Sequence, residues 1–367
     1  MNRIELLLVS SLLIAGLLNY NVGSCAAALS DQGLEITGIG QLETAGWAAC
    51  VHVEGDIAYV SASEAGLYIV NISNPEIPTE LGRYNESIDH IHEIYVNGNL
   101  VYVADYTGGL KILNVSDPEN PTLVGAFDDG GEVGAFEICG DLAFLADFAD
   151  GLEIVNITDP ADPQELFQYD TDISYIFNVE VNNGLAYVSD FVSASEKALR
   201  ILNISDLSSI EEIAEYTIDG EIFSIDFVGD VAYMMCSYGG VKVFNVSNPN
   251  SLVEMGSYDD GGNAVDSEFF GDYIIIADRD DGLEVLAAGD PTDIAEIEHY
   301  FDGGSATNID RADDLVFVAD GEDGLEVLQI ETVTDAGDSS FPITPIVAAT
   351  GMMAILGIVL FVRNRKG

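Results

Sequence analysis

A unit of about 42 residues recurs seven times along this chain, and no other sequence feature restricts its fold so tightly. The first mark of the unit is a turn followed by an apolar strand. It reads Gly55-Asp56-Ile57-Ala58-Tyr59-Val60, Gly98-Asn99-Leu100-Val101-Tyr102-Val103 and Gly140-Asp141-Leu142-Ala143-Phe144-Leu145. It returns at Asn183, Gly229, Gly271 and Asp313, with successive starts 43, 42, 43, 46, 42 and 42 residues apart. A second mark, Gly66-Leu67, Gly109-Leu110, Gly151-Leu152, Gly240-Val241, Gly282-Leu283 and Gly324-Leu325, opens the next strand. The fourth unit spells it Ala198-Leu199 after a small insertion near Ser193 to Lys197. The third mark is an Asn-x-Ser/Thr-x-Pro turn at Asn71, Asn114, Asn156 and Asn245, with Asn203 lacking only the Pro.

Between the marks lie short runs of Val, Ile, Leu, Tyr and Phe with no helical period. Eight of the ten prolines (Pro75, Pro78, Pro118, Pro121, Pro160, Pro163, Pro249 and Pro291) fall in the third turn. Proline lacks the N–H a sheet ladder needs, so this placement spares the strands. Four short strands per unit are the signature of a propeller blade. The expected fold is therefore all-β, a seven-bladed propeller of four-stranded blades over residues 33–331. In the second unit the strands should run Ile91 to Val96, Leu100 to Ala104, Leu110 to Val115 and Thr122 to Phe127. The seventh unit stops after its third strand, at Glu331, while an orphan strand, Glu35 to Leu42, precedes the first unit. Pairing the orphan into the seventh blade would satisfy two open edges and close the ring.

Strings such as Leu110-Lys111-Ile112-Leu113-Asn114-Val115-Ser116-Asp117-Pro118 and Leu152-Glu153-Ile154-Val155-Asn156-Ile157-Thr158-Asp159-Pro160 resemble the LVIVD repeat family of β-propellers on bacterial and archaeal surfaces. The likeness covers residues 33 to 331. Asn mostly replaces the family's usual Asp after the third strand, and the last two units lose part or all of the Pro-turn spelling. The resemblance implies a surface location and supplies no active-site residues.

The ends read differently. Arg3, an apolar run from Leu6 to Leu18 and the small residues Ala26 to Ala28 have the layout of a secretory signal at 1–28. Val22-Gly23-Ser24-Cys25 resembles a lipoprotein signal box, but Asn19-Tyr20-Asn21 interrupts the approach, so ordinary cleavage is the reading adopted. Pro345 to Val362 carries no charge and is followed by Arg363, Arg365 and Lys366. Eighteen residues of helix span roughly 27 Å, near the hydrocarbon thickness of a bilayer. A transmembrane helix is thus expected at 343–362, after a linker at 332–342 and before a basic cytoplasmic tail at 363–367. Positive residues stay inside, which makes the chain a single-pass type I protein with its propeller outside the cell.

Charge excludes one class of partner. The chain has 64 Asp and Glu against 11 Lys and Arg, a net charge of −53. Nucleic acid needs a basic footprint, and none is present. Because Arg3, Arg363, Arg365 and Lys366 lie at the ends, the repeats are more acidic still. Loops such as Asp128-Asp129-Gly130-Gly131, Asp259-Asp260-Gly261-Gly262 and Asp302-Gly303-Gly304, before the first strands, should share one face with Asp147-x-x-Asp150-Gly151, Asp278-x-Asp280-Asp281-Gly282 and Asp320-x-Glu322-Asp323-Gly324. That face would point away from the membrane. These loops lack the twelve-residue calcium spacing, and Asp-Gly is a preferred hairpin pair, so turn formation is the reading adopted.

Candidate site residues come from the innermost strands. Counting back three residues from each first turn gives His52, Tyr95, Glu137, Glu180, Asp226, Glu268 and Asp310, of which five are carboxylates. On the same strand face, two residues earlier, lie Cys50, Glu93, Ala135, Asn178, Ser224, Asp266 and Asn308. Carboxylates converging on an axis repel unless hydrated, protonated or bridged by a cation. Two readings stay open: a water-filled channel, or a metal site of Glu137, Glu180, Asp226, Glu268 and Asp310 for which Ca²⁺ would be the cofactor.

His90 and His92 share a strand face without an evident third ligand. Asn71, Asn85, Asn114, Asn156, Asn203 and Asn245 are formal glycosylation acceptors, and side-chain-to-backbone turn bonds explain their residue types equally well. Cys50, Cys139 and Cys236 fall in different blades, so no disulfide is assigned. Trp47 reads as packing. Without a G-x-S-x-G, P-loop or dinucleotide fingerprint, the expected function is a non-enzymatic binding or adhesion module for a surface protein, a glycan or divalent cations. The alternatives are an extracellular hydrolase or lyase using channel-mouth carboxylates, and a structural coat component.

Overall fold

A computed structural model describes residues 32–148, 150–169, 175–193 and 196–334. Residues Gly33–Val333 form one compact unit. The expected signal at 1–28 with Cys25, the span at 343–362, the tail at 363–367 and the linker beyond 334 lie outside the described residues. Among the described residues no helix is long and apolar enough to cross a membrane.

The described residues form twenty-eight strands in seven four-stranded antiparallel sheets. Each blade is a meander. Blade 2 runs Ile91–Asn97, Leu100–Asp105, Leu110–Asn114 and Thr122–Phe127, close to the expected bounds. Its first turn places Gly98 at φ 60°, and the equivalent turns of the other blades place Gly55, Gly140, Asn183, Gly229, Gly271 and Asp313 between 53° and 63°. Glycine enters this left-handed region freely, and Asn and Asp are the side chains that tolerate it best. The repeat mark is thus the steric signature of one turn.

The ring closes as the orphan strand requires. Gln32–Leu42 pairs with the third strand of blade 7, Leu325–Thr334, and becomes that blade's outer strand. Blade 4 carries the insertion near Ser193 to Lys197. It lengthens the second and third strands to Leu185–Ser193 and Glu196–Asn203.

The core is distributed as seven apolar slabs, one between each pair of neighbouring blades. Val51, Ala58 and Val70 of blade 1 meet Phe317, Leu325 and Val327 of blade 7 in the slab that seals the ring. Third strands are buried on both faces, as in Leu152 to Val155, whereas outer strands such as Gln164–Tyr169 are largely exposed.

Candidate functional site

The innermost strands stand with one edge toward the axis, so their N–H groups lack ladder partners there. Carboxylates and amides of the neighbouring blade take them. Phe136 N donates to Glu93 Oε2 at 2.5 Å, and Ile309 N to Asp266 Oδ2 at 2.9 Å. Val51 N donates to Asn308 Oδ1 at 2.7 Å, and Val53 N to Asp310 Oδ2 at 2.6 Å. Ser267 Oγ donates to Asp226. The acidic inner ring therefore staples blade 2 to 3, 5 to 6, 6 to 7 and 7 to 1.

Burial sets the protonation of this ring. It pushes Glu93 up to about 8 against the opposing Phe136 N–H bond. It also pushes Asp266 to about 8, Glu268 to about 8 and Glu137 to about 7. Asp226 rises to about 6, and Glu180 and Asp310 also rise by burial. Of the five expected metal ligands Glu137, Glu180, Asp226, Glu268 and Asp310, none belongs to a set of three carboxylates with oxygens within 4.8 Å of one another among the described residues.

On the Asp/Gly loop side the channel widens into a cavity of about 430 Å³. Its wall contains the earlier tier, Cys50, Glu93, Ala135, Asn178, Ser224, Asp266 and Asn308, together with Glu180. One side of the mouth is aromatic. Ring centroids pass from His92 to Tyr106 (5.3 Å), to Phe148 (5.8 Å), to Tyr175 (4.6 Å) and to Phe177 (5.3 Å). Phe177 continues to Phe191 at 5.8 Å and to Phe223 at 6.4 Å, and Arg279 lies over Phe223 at 5.2 Å. Trp47, expected as packing, covers Gly321, yet it is 41% exposed and is one of the residues that line the cavity.

This arc was missed by counting carboxylates. Its signal is a short spelling at the end of three second strands: Asp105-Tyr106, Asp147-Phe148 and Asp190-Phe191. His90 and His92 both line the cavity, and neither belongs to a group of three ligating side chains among the described residues. His90 lies 3.1 Å from Asp89, and His92 packs on Tyr106.

Farther from the axis, a second polar site repeats at the end of the second strand. Asp105, Asp147, Asp190, Asp278 and Asp320 occupy it and are all buried. One oxygen accepts a backbone N–H from the loop before the first strand: Asp89 N to Asp105 at 2.7 Å, Glu132 N to Asp147 at 2.7 Å and Tyr175 N to Asp190 at 3.2 Å. Asn263 N reaches Asp278 in the same way. What meets the other oxygen differs between blades. In blade 2 it is Lys111 Nζ, and in blade 4 Arg200 Nε at 2.5 Å. In blades 3, 6 and 7 the same third-strand position carries Glu153, Glu284 and Glu326.

Those three blades also carry the Asp-Gly-Gly loops. The loop brings Asp129 to Asp147 and Asp150, Asp260 to Asp278 and Glu284, and Asp302 to Asp320 and Glu326, with oxygens within 4.8 Å in each set. A Cβ on Gly131, Gly262 or Gly304 would lie within 2.4 Å of an oxygen of Asp147, Asp278 or Asp320, so only glycine allows this approach. The turn reading of these loops is incomplete, because folding closes them into carboxylate triads.

The sequon asparagines are turn formers. Asn71, Asn114, Asn156, Asn203 and Asn245 each accept the backbone N–H two residues on, at 2.9 to 3.1 Å. Asn85 lies exposed on the other face. Cys50, Cys139 and Cys236 are free thiols.

The LVIVD repeat matches this chain at residues 45–86, 90–129, 130–171, 176–218, 219–260 and 261–302. No curated protein matches it. Among solved structures it is similar to the β-propeller domain of Cps50 (Swd1) from Myceliophteria thermophila, with a TM-score of 0.65 at 12% identity over 80% of this chain and 99% of that one. It is also similar to the computationally designed Ika8 protein, with a TM-score of 0.59 at 10% identity over 80% and 99% of the two chains. At these identities the likeness speaks for the fold alone.

Proposed function

The chain belongs to the LVIVD repeat family, and from that premise we propose that it is a non-enzymatic, cell-surface binding module that takes its ligand at the channel mouth. The observation that carries this reading is the aromatic arc beside a cavity of about 430 Å³. That volume lies within the usual range of small-ligand pockets. Aromatic faces give broad apolar contact, while Asn178, Ser224, Thr307, Asn308 and Arg279 offer donors and acceptors around them. This mixture suits the terminal sugar of a glycan, which presents one apolar face and a rim of hydroxyls. The expected signal at 1–28 and the expected span at 343–362, both read from the sequence, support display on the outside, with the acidic loops pointing away from the membrane.

A hydrolase or lyase is the second reading, favoured by Glu93, Glu180 and Asp266 in the cavity wall. Acid–base chemistry asks for two carboxyls with protonation pushed apart. Here burial pushes all three upward together, to about 8 for Glu93 and Asp266. Asp226, whose charge helps raise Asp266, rises only to about 6 but does not line the cavity. The pair that such chemistry asks for is therefore not assembled in its wall, which supports binding over turnover.

The test is a screen of the full chain against immobilised glycans and extracellular proteins, beside Phe148→Ala and Phe177→Ala variants. A glycan ligand lost in both variants is expected. Cleavage of a screened glycan would establish the enzymatic reading instead, and no ligand at all would leave the coat role. Labelling of a loop-face epitope on intact cells should succeed, and labelling only after permeabilisation would sink the surface location.

A further inference from the structure

The repeats allow one buried position to be compared seven times within one molecule. At the end of the second strand stand Ala62, Asp105, Asp147, Asp190, Cys236, Asp278 and Asp320, and across the ladder stand Tyr68, Lys111, Glu153, Arg200, Lys242, Glu284 and Glu326. Where the buried Asp faces Lys111 or Arg200, the protein supplies its own countercharge. Where it faces a Glu, an Asp-Gly-Gly loop adds a further carboxylate. The address thus changes from a balanced charge pair to a cluster of three carboxyls, and it does so three times.

Several carboxylates out of water, with no cation, are costly. The atoms themselves point to something absent. Glu153 is 0% exposed, and its Oε1 and Oε2 meet no N–H or hydroxyl donor among the described residues. It lies against Asp129 of the blade 3 triad. Asp320, a member of the blade 7 triad, is 3% exposed and its Oδ2 has no partner among the described residues. The equivalent oxygens of Asp105 and Asp190 are the ones that hold Lys111 and Arg200.

We propose that blades 3, 6 and 7 each bind one divalent cation, Ca²⁺, in the place that Lys111 and Arg200 fill in blades 2 and 4. Its ligands are Asp129, Asp147 and Asp150, then Asp260, Asp278 and Glu284, then Asp302, Asp320 and Glu326. The donors are oxygen only, which selects hard cations, and water completes the shell. Two ligands of each site sit on ladder strands or at their ends, and the third arrives on a loop held by glycine. Calcium accepts such mixed geometry, whereas Mg²⁺ demands a near-ideal octahedron. The sites are separate from the channel mouth, so they stand whether or not the glycan reading does.

The test uses the full chain stripped with EDTA and returned to constant ionic strength. Equilibrium dialysis with Ca²⁺ should give three ions per chain, with dissociation constants on the order of 10⁻⁴ M. Ten-fold saturation should raise the melting temperature by roughly 5–10 °C. Glu284→Lys rebuilds the blade 2 arrangement in blade 6, so stoichiometry should fall to two while the Ca²⁺-free melting temperature rises. Should that variant fail to fold, Asp260→Asn changes only the exposed loop ligand and should weaken one site at least ten-fold. Unchanged stoichiometry and affinity in the folded variants, or a melting temperature that Ca²⁺ moves no more than NaCl, would overturn the proposal. Equal affinity for Mg²⁺ would overturn the assignment to calcium.

Discussion

Blades 2 and 3 stand side by side with nearly the same backbone, and they neutralise the same buried carboxylate by different means. In blade 2 the partner of Asp105 is a lysine on the adjacent strand. In blade 3 the adjacent strand offers Glu153 to Asp147, and the charge of one sign accumulates. A repeat protein can therefore keep its geometry constant and change which ion completes the core. Blade 2 carries its cation in the sequence, whereas blade 3 depends on the medium.

The sharpest way to break this comparison is to remove the built-in cation. Lys111→Met should destabilise the fold by about 3–5 kcal/mol, because it strands Asp105 as an uncompensated buried charge. Adding Asp105→Asn should recover most of that loss in urea unfolding. A cost below about 1 kcal/mol for the single variant would mean that the buried Asp needs no countercharge, and the contrast between blades would lose its basis.

The second prediction uses pH. In the inner ring, burial holds Glu93, Asp266 and Glu268 at about 8, above their unfolded range. The folded chain then binds these protons more tightly than the unfolded one, so their stabilising contribution is complete below about pH 4. It is lost as pH rises through about 8. In saturating Ca²⁺ the triads stay ionised and only the ring titrates, so the melting temperature should fall from pH 6 to pH 9. In EDTA the fall should be steeper, because Glu284, a ligand of the blade 6 site held at about 9 by burial, titrates as well. Equal slopes with and without Ca²⁺ would separate the triads from the ion.

Much of this was legible in the sequence, and the limits have physical causes. The turn marks at Gly55 through Asp313 gave the blade count because each needs one backbone conformation. The unpaired strand before blade 1 gave the closure because open edges must pair. The inner carboxylates were identifiable as axial, but their role was not. The N–H that Glu93 accepts belongs to Phe136 of the next blade, and that stagger is set by how blades pack. The triads were divided among three marks. Glu284 follows the Gly282-Leu283 mark directly, and reading one residue further would have shown Lys111 and Arg200 alternating with Glu at that place. That Asp260 folds back onto Asp278 depends on the close approach of Gly262, which spacing alone does not reveal.

The smallest expected effect separates the two kinds of carboxylate most cleanly, because one substitution should be indifferent to Ca²⁺ at one address and follow it at the other. Glu93→Gln keeps an oxygen for the Phe136 N–H and removes a charge that burial already disfavours. Its stability at pH 7 should stay within about 1 kcal/mol of the parent, with three Ca²⁺ still bound, whereas Glu93→Ala should cost about 1–3 kcal/mol for the orphaned donor. Glu284→Gln also replaces a buried carboxyl with an amide of the same shape. Without Ca²⁺ it should leave the chain as stable or slightly more so, and with Ca²⁺ it should fall behind the parent as one site is lost. Urea unfolding of both variants with and without Ca²⁺ decides the matter. If Glu93→Gln were the one whose stability followed the ion, the cation would belong on the axis and the triads would be ordinary acidic turns.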